Sequence, residues 1–422
     1  MRVLFVVLAV KAHLYNMVPL AWGLRAAGHE VHIASHPDLV PDIVGAGLPA
    51  VAVGEPLNLA QAIDQAGSAK FKSGQFQSLS RGMAAEYPEK VTWEHALGEF
   101  TVARAQYEYF GNFAMTDDLV RYARYWRPDL VVWDGLSFAG PVAAKACGAA
   151  HARMSFALDY ITRMRHDFLR LLPEQPSEWQ EDPMAEWMSA KLSRYDCEFS
   201  EDVFTGQWTI DVFPEWMRFP LEVDYLRMRP VAYNGSVAIP DWLRRAPERP
   251  RICFTLGLSG REVIGDSGVA TADILTALAS REVELVATLS VDQLGPLPGL
   301  PGNVRIVDYV PLNDVLPSCA ALIHHGGSGT TNNALLHGVP QLIIPSRTWQ
   351  EADLATLIEN QGAGLAAPPE ELTADGLAAC MDRLLAEPSF GRCAGDLRKD
   401  VLSAPSPAEI VPELEKRVSR VR

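Results

Sequence analysis

The stretch Ala321-Leu-Ile-His-His-Gly-Gly-Ser-Gly-Thr-Thr-Asn-Asn-Ala-Leu-Leu-His-Gly-Val-Pro-Gln-Leu-Ile-Ile-Pro345 decides how this chain folds. It reads as a short strand, a glycine-rich turn, a helix starting at about Thr330, a stop at Gly338-Val-Pro340 and a second strand. A bare turn between strand and helix exposes backbone N–H groups at the positive end of the helix dipole, which is a ready anion site. Gly326, Gly327 and Gly329 let that backbone approach a ligand closely, and Ser328, Thr330 and Thr331 add hydroxyl donors. His325 ends the strand, where a ring N–H can meet a phosphate oxygen, so the turn suits a diphosphate. The plain alternative is an unusually glycine-rich turn. Alternation puts His324 on the opposite strand face, where a structural part suits it better. The motif is not GxGxxG, and no acidic residue some twenty positions on takes the ribose-binding part, which argues against a nicotinamide site.

The same rhythm of apolar strand and amphipathic helix runs outward in both directions. Val3–Ala9, Glu30–Ala34, Pro49–Val53, Leu130–Trp133 and Ala152–Phe156 read as strands, with helices at Asn16–Ala27, Val40–Ala46, Leu119–Trp126 and Gly140–Ala146. After a polar, proline-rich stretch around Tyr233-Asn-Gly-Ser236 and Pro240 to Pro250 the rhythm restarts. Strands are expected at Ile252–Leu256, Glu284–Leu289, Val304–Val307 and Ala321–His324. Helices are expected at Thr271–Ala279, Asn313–Cys319, Thr331–His337, Ala352–Gln361, Thr373–Leu385 and Pro407–Val418. Fully apolar strands alternating with such helices mean parallel sheets covered on both faces. The fold class expected is therefore α/β, two Rossmann-like doubly wound parallel-sheet domains facing a cleft, with ligands at the carboxyl ends of the strands. The domain limits expected are 1–232, a linker at 233–250, 251–405, and a C-terminal helix at 406–422 packing back toward the first domain. Residues 57–118 and 160–230 break the rhythm and are rich in Trp, Tyr, Phe and Met.

Bulk properties narrow the class. At 422 residues the chain is too long for one ordinary core. A net charge of −15 argues against nucleic acid or an acidic membrane surface as the main partner. Six cysteines without a CxxC pair fit a reduced cytoplasmic protein rather than a disulfide framework or zinc site. The apolar run Val3–Val10 is far too short for a membrane span and lacks a cleavage site behind it.

Several single residues can carry chemistry. His13 follows the first strand, at the edge where open parallel sheets hold ligands, and an imidazole there can deprotonate an acceptor hydroxyl. It can equally cap a helix or face solvent. Asp134 ends the strand Leu130-Val-Val-Trp-Asp134 on the same edge; it can orient His13, as in a triad, or cap the next helix. Trp349 offers a flat face to a sugar ring and Gln350 an amide to its hydroxyls, the alternative being an ordinary helix start. Arg347 can meet phosphate or pair with Glu351. Tyr309-Val310 and Ser259, at strand ends of the second half, are either ligand contacts or plain turns.

With these residues laid out, the chain resembles the two-domain (GT-B fold) nucleotide-sugar glycosyltransferases that decorate natural products. The resemblance covers nearly the whole length. It is firmest over 250–370, through the His-x-Gly-x-x-Thr block, Gly338-Val-Pro-Gln341 and Gly362-Ala-Gly364, and Met1-Arg-Val-Leu-Phe5 with His13 fits as well. Asp182-Pro-Met-Ala-Glu-Trp187, Gly206-Gln-Trp-Thr-Ile-Asp211 and Tyr233-Asn-Gly235 are similar to stretches of the actinobacterial subgroup that moves deoxysugars from thymidine diphosphate onto macrolide and anthracycline aglycones.

The resemblance implies an inverting, metal-independent transferase with no cofactor beyond its dTDP-sugar co-substrate. His13 matches the catalytic base and Asp134 its acidic partner. His325, Gly327 and Thr330 match the diphosphate cradle, whose turn also carries Gly326, Ser328 and Gly329, Ser259 lies in a loop touching the nucleotide, and Val310 matches a backbone contact to the base. Trp349 and Gln350 stand where relatives usually carry Asp-Gln or Asn-Gln, which fits a sugar with fewer hydroxyls. Asn333 replaces a Glu that grips ribose hydroxyls in uridine-dependent relatives, which fits a deoxyribose. A hydrophobic aglycone is expected among the aromatic insertions, at Phe71, Tyr87, Phe110, Phe138, Phe156 and Trp216. Some relatives act only with a cytochrome-like helper protein on the N-terminal domain. The competing expectations are an epimerase or hydrolase of the same fold, and a non-catalytic subunit that holds aglycone or nucleotide.

Overall fold

The computed structural model describes residues 1–59, 61, 91–259, 271–279, 281–289, 302–345, 350–368 and 373–421. Among them, 1–59, 91–231 and 404–421 form one compact unit and 232–403 belong to the other.

The first unit is built on seven parallel strands in the order β3-β2-β1-β4-β5-β6-β7. These are β1 Arg2–Val6, β2 Glu30–Ser35, β3 Ala50–Ala52, β4 Leu130–Asp134, β5 Ala150–Met154, β6 Trp208–Asp211 and β7 Tyr225–Arg227. Val3 to Val6 and Leu130 to Trp133 are fully buried, as apolar strands covered on both faces must be. Register pairs Val6 with Trp133 and Asp134 with Met154, so β1, β4 and β5 end level at one carboxyl edge. The short strands β6 and β7 lie inside the stretch whose sequence shows no rhythm; four and three residues are too few to print a period.

Helix α1, Lys11–Ala26, begins five residues before the expected start at Asn16. Pro19 suggests a first helical turn there, yet the helix runs through it. Leu14, Met17, Val18 and Leu20 are all buried, and that burial favours a longer helix over the one missing backbone bond. His13 therefore lies in the first turn of α1 and not in a loop before it. Helix α2, Trp93–Phe110, lies in the first aromatic insertion and is capped by the Thr92 side chain, while α3, Phe113–Trp126, capped by Asn112, is the helix expected at Leu119–Trp126 with an earlier start. In the second insertion α4, Tyr160–Leu171, is capped by Asp159.

The second unit carries six parallel strands in the order β10-β9-β8-β11-β12-β13. They are β8 Arg251–Thr255, β9 Glu284–Thr288, β10 Val304–Val307, β11 Cys319–His324, β12 Gln341–Ile343 and β13 Gly364–Ala366. Helix α5, Ser328–His337, follows β11 and ends at Gly338 in the left-handed conformation (φ 65°) that glycine adopts without strain. It starts two residues before the expected Thr330. Helix α6 covers Glu351–Asn360, and α7, Pro388–Ser403, is a 16-residue helix that the sequence reading passes over. Much of the stretch read as a linker is packed against this unit: Trp242 and Leu243 sit on the cluster of Cys253, Val286 and Leu322, and the Asn234 side chain accepts from Asn313 N–H at 2.9 Å.

The C-terminal segment belongs to the first unit. Pro405 O accepts from Arg229 N–H at 2.7 Å, Arg417 pairs with Asp224, and α8, Val411–Val421, buries Val411, Leu414 and Val418. No helix among the described residues is long and apolar enough to cross a membrane.

Candidate functional site

Two groups of residues stand at the carboxyl edges of the sheets, one in each unit. In the first, β4 delivers Asp134 and α1 delivers His13. The Nδ1–H of His13 donates to Asp134 Oδ2 at 2.6 Å, across 121 residues of chain. Asp134 is 1% exposed, and its other oxygen accepts from Leu136 N–H at 2.9 Å. It thus closes the turn after β4 and holds the imidazole at once, while the following helix, Ala139–Cys147, starts at Phe138 without a side-chain cap. Fixing Nδ1 as the donor leaves Nε2 with its lone pair, the arrangement of a general base.

Of the aromatic residues expected at an acceptor site, Phe71 and Tyr87 lie outside the described residues. Phe138 is 1% exposed and closes a core cluster with Tyr107, Trp133, Trp187 and Phe204. That burial leaves it no face for a ligand, so it packs the core instead. Phe110 is likewise buried. Trp216 is half-buried, and its indole N–H has no hydrogen-bond partner among the described residues. Phe156, also half-buried, packs on the ring of His13 at 4.6 Å between centroids.

The second group surrounds His325. A Cβ added at Gly257 would stand 2.7 Å from its ring, and one at Gly327 2.6 Å, so the imidazole occupies a slot that two glycines leave open. Burial pulls its pKa down to about 4, which makes the ring neutral at pH 7. Its Nδ1 is buried and has no partner among the described residues. His324 is a structural residue: buried, with its pKa lowered to about 3 by burial first and by His325 second. Its Nε2 pairs with Gln341 Oε1 at 2.9 Å, and its Nδ1 accepts from Gly326 N–H at 3.1 Å. That bond shapes the turn carrying Gly326, whose φ of 96° requires glycine.

Gly327 caps α5 without any side-chain bond, so the N–H groups of Ser328, Gly329 and Thr330 have no partner within the helix. Thr331 does not join them as a hydroxyl donor, because its Oγ1 donates to Gly327 O at 3.1 Å. Asn333 Nδ2 donates to Gly329 O at 2.7 Å, which leaves its buried Oδ1 without a partner among the described residues. Gln350 Nε2 donates to Ser328 Oγ, tying the head of α6 to the turn. Trp349 and Arg347 lie outside the described residues. Ser259 closes a single helical turn, Gly257–Ser259, behind β8. Val310 is buried in the cluster of Cys253, Val286, Val315 and Leu322.

Three features escape the sequence: the glycine slot around His325, the Phe156 contact on His13, and a bond from Asn16 Nδ2 to Ser155 O at 2.8 Å. The last joins residues 139 positions apart, and no local pattern announces it. Among the described residues no group of three His, Cys, Asp or Glu side chains is placed to hold a metal ion.

The N-terminal domain described as "Erythromycin biosynthesis protein CIII-like" matches residues 22–257, and the C-terminal domain of the same description matches 272–417. The chain is 47% identical to the aclacinomycin-T 2-deoxy-L-fucose transferase of Streptomyces galilaeus, covering 100% of this chain and 97% of that protein. It is 43% identical to the 10-deoxymethynolide desosaminyltransferase of Streptomyces venezuelae, over 100% and 98% of the two. Among solved structures, the glycosyltransferase VinC in complex with dTDP superposes with a TM-score of 0.88 at 46% identity, each chain covered in full.

Proposed function

The chain belongs to the erythromycin biosynthesis protein CIII-like family of glycosyltransferases, and from that premise we propose that it moves a deoxysugar from a dTDP-sugar donor to a hydroxyl of a hydrophobic, polyketide-type aglycone. The observation that carries the reading is the His13–Asp134 pair, a base with a buried carboxylate behind it. Nε2 of His13 takes the acceptor proton as the hydroxyl oxygen attacks the anomeric carbon, and Asp134 stabilises the imidazolium that forms. The attack is in line, so the anomeric configuration inverts as the diphosphate leaves. The uncapped N-terminus of α5 and the neutral ring of His325 supply donors for the charge growing on that leaving group.

The thymidine nucleotide of the donor is supported by Asn333, whose amide is turned onto Gly329 O and brings no charge to a ribose. The test is product analysis by mass spectrometry and NMR, with a dTDP-deoxysugar and macrolide or anthracycline aglycones. A glycoside of inverted configuration supports the proposal. Donor cleavage or epimerisation at the same rate with and without aglycone would replace it by the hydrolase or epimerase reading. Turnover that appears only on adding a cytochrome-like helper protein would make that partner part of the working enzyme.

A further inference from the structure

The contact between His13 and Phe156 belongs to a closed ring of contacts. Asp134 holds Nδ1 of His13, and the His13 ring lies 4.6 Å from that of Phe156, tilted by 36°. Phe156 in turn lies over Gly135, the residue next to Asp134. A Cβ built at Gly135 would meet Cε1 and Cδ1 of Phe156 at 3.2 and 3.3 Å, with backbone and other side chains further off. Nothing in the backbone demands glycine there, since its φ is not among the positive values. The room that the missing side chain provides is room for the phenyl ring.

Phe156 is itself held from behind. Asn16, one turn beyond His13 on α1, donates to Ser155 O at 2.8 Å, which ties the base-bearing helix to the segment presenting the phenyl ring. Ser155 Oγ donates to Asp211 Oδ1 at 2.6 Å, and Arg218 Nε donates to Asp211 Oδ2 at 2.5 Å. Ser155 and Asp211 are 8% and 3% exposed. A buried carboxylate with this many partners is an anchor, so the phenyl ring starts from a fixed base. A hydrogen bond at Nδ1 alone leaves the imidazole free to swing about that bond, and a flat wall on one face removes that freedom.

We propose that Phe156 is a positioning residue that fixes the plane of the His13 imidazole, and that Gly135 is the seat that lets it lie there. The proposal rests on His13 being the base. A displacement of about 1 Å at a catalytic group can cost as much as a hundredfold in rate. Phe156→Leu therefore lowers kcat by roughly tenfold or more, with acceptor KM and dTDP affinity near those of the parent chain. Phe156→Tyr, which keeps the ring, restores kcat.

The full test is a double-mutant cycle on Gly135→Ala and Phe156→Leu, read as kcat, acceptor KM and the pH profile of kcat, with circular dichroism and thermal unfolding as the check on folding. Gly135→Ala alone lowers kcat, because its methyl pushes the phenyl ring off its seat. In Gly135→Ala/Phe156→Leu the added cost of the glycine change disappears, because its clash partner is gone. Additive losses would overturn the proposal, and so would a rise in acceptor KM with kcat intact, which would make Phe156 an aglycone contact. His13→Ala runs alongside. If that variant turns over normally, the base reading falls and the clamp with it. If it is inactive while Phe156→Leu and Gly135→Ala keep full kcat, the clamp alone falls.

Discussion

The two histidine sites are built on opposite principles. His13 has a buried carboxylate 2.6 Å from one nitrogen and stands at the mouth of a helix, with 13% of its side chain exposed. His325 is enclosed between two glycines, with no charged partner in direct contact among the described residues, and burial alone pushes its pKa to about 4. A group that must accept a proton needs a counter-charge for the protonated form. A group that only donates a hydrogen bond works best when it stays neutral and fixed. On the proposed reading the same side chain serves two tasks, and its surroundings decide which.

That contrast can be broken first at His13. His13→Ala should lower kcat by about 10²- to 10⁴-fold and leave dTDP affinity unchanged, as read by steady-state kinetics and calorimetry. Near-parental turnover would remove the base from the scheme. The second unit is probed by Gly327→Ala. Its φ of −62° accepts any residue, so the change acts through the methyl that meets the His325 ring. Overpacking of that kind costs about 1–3 kcal/mol, and dTDP binding should weaken by roughly tenfold, while the first unit keeps its stability. Unchanged binding would show that the ring has no part in holding the nucleotide.

A third test is in pH. Both His324 and His325 have folded pKa values far below the 6.5 of an unfolded histidine, so the unfolded chain binds their protons first. The stability they carry is whole above about pH 6.5 and falls as the pH drops toward 4, by up to about 1.4 kcal/mol per pH unit for each ring. His325→Asn should flatten that slope in denaturant unfolding followed across the range. An equal slope in the variant would mean that the ring is not buried neutral.

How much of this was open to reading from the sequence differs between the units. In the second, strand, turn and helix lie within 25 residues, and their periodicity gives β11, the glycine turn and β12 close to their observed limits. Helix α5 still begins two residues early, because Gly327 acts as a cap without offering a capping side chain. In the first unit, β1, β2 and β4 show as apolar runs. Helix α2 does not, since its buried face of Trp93, Ala96, Phe100, Ala103 and Tyr107 is diluted by polar and charged neighbours. The residues around His13 were hidden for a different reason: Asp134 at the end of β4 and Ser155 and Phe156 just after β5 are well over a hundred positions away.

By itself the sequence determined what depends on neighbours along the chain. That is the two parallel sheets, from their apolar strands, and the bare turn, from glycines placed ahead of a helix. Tertiary structure alone decided that Asp134 meets His13, that Phe156 lies on Gly135, that Phe138 fills the core, and that Gly257 and Gly327 clear a place for His325. Periodicity and turn chemistry are local and survive in a string of letters. A contact between two strands is set by register and packing, which exist only once the sheet has formed.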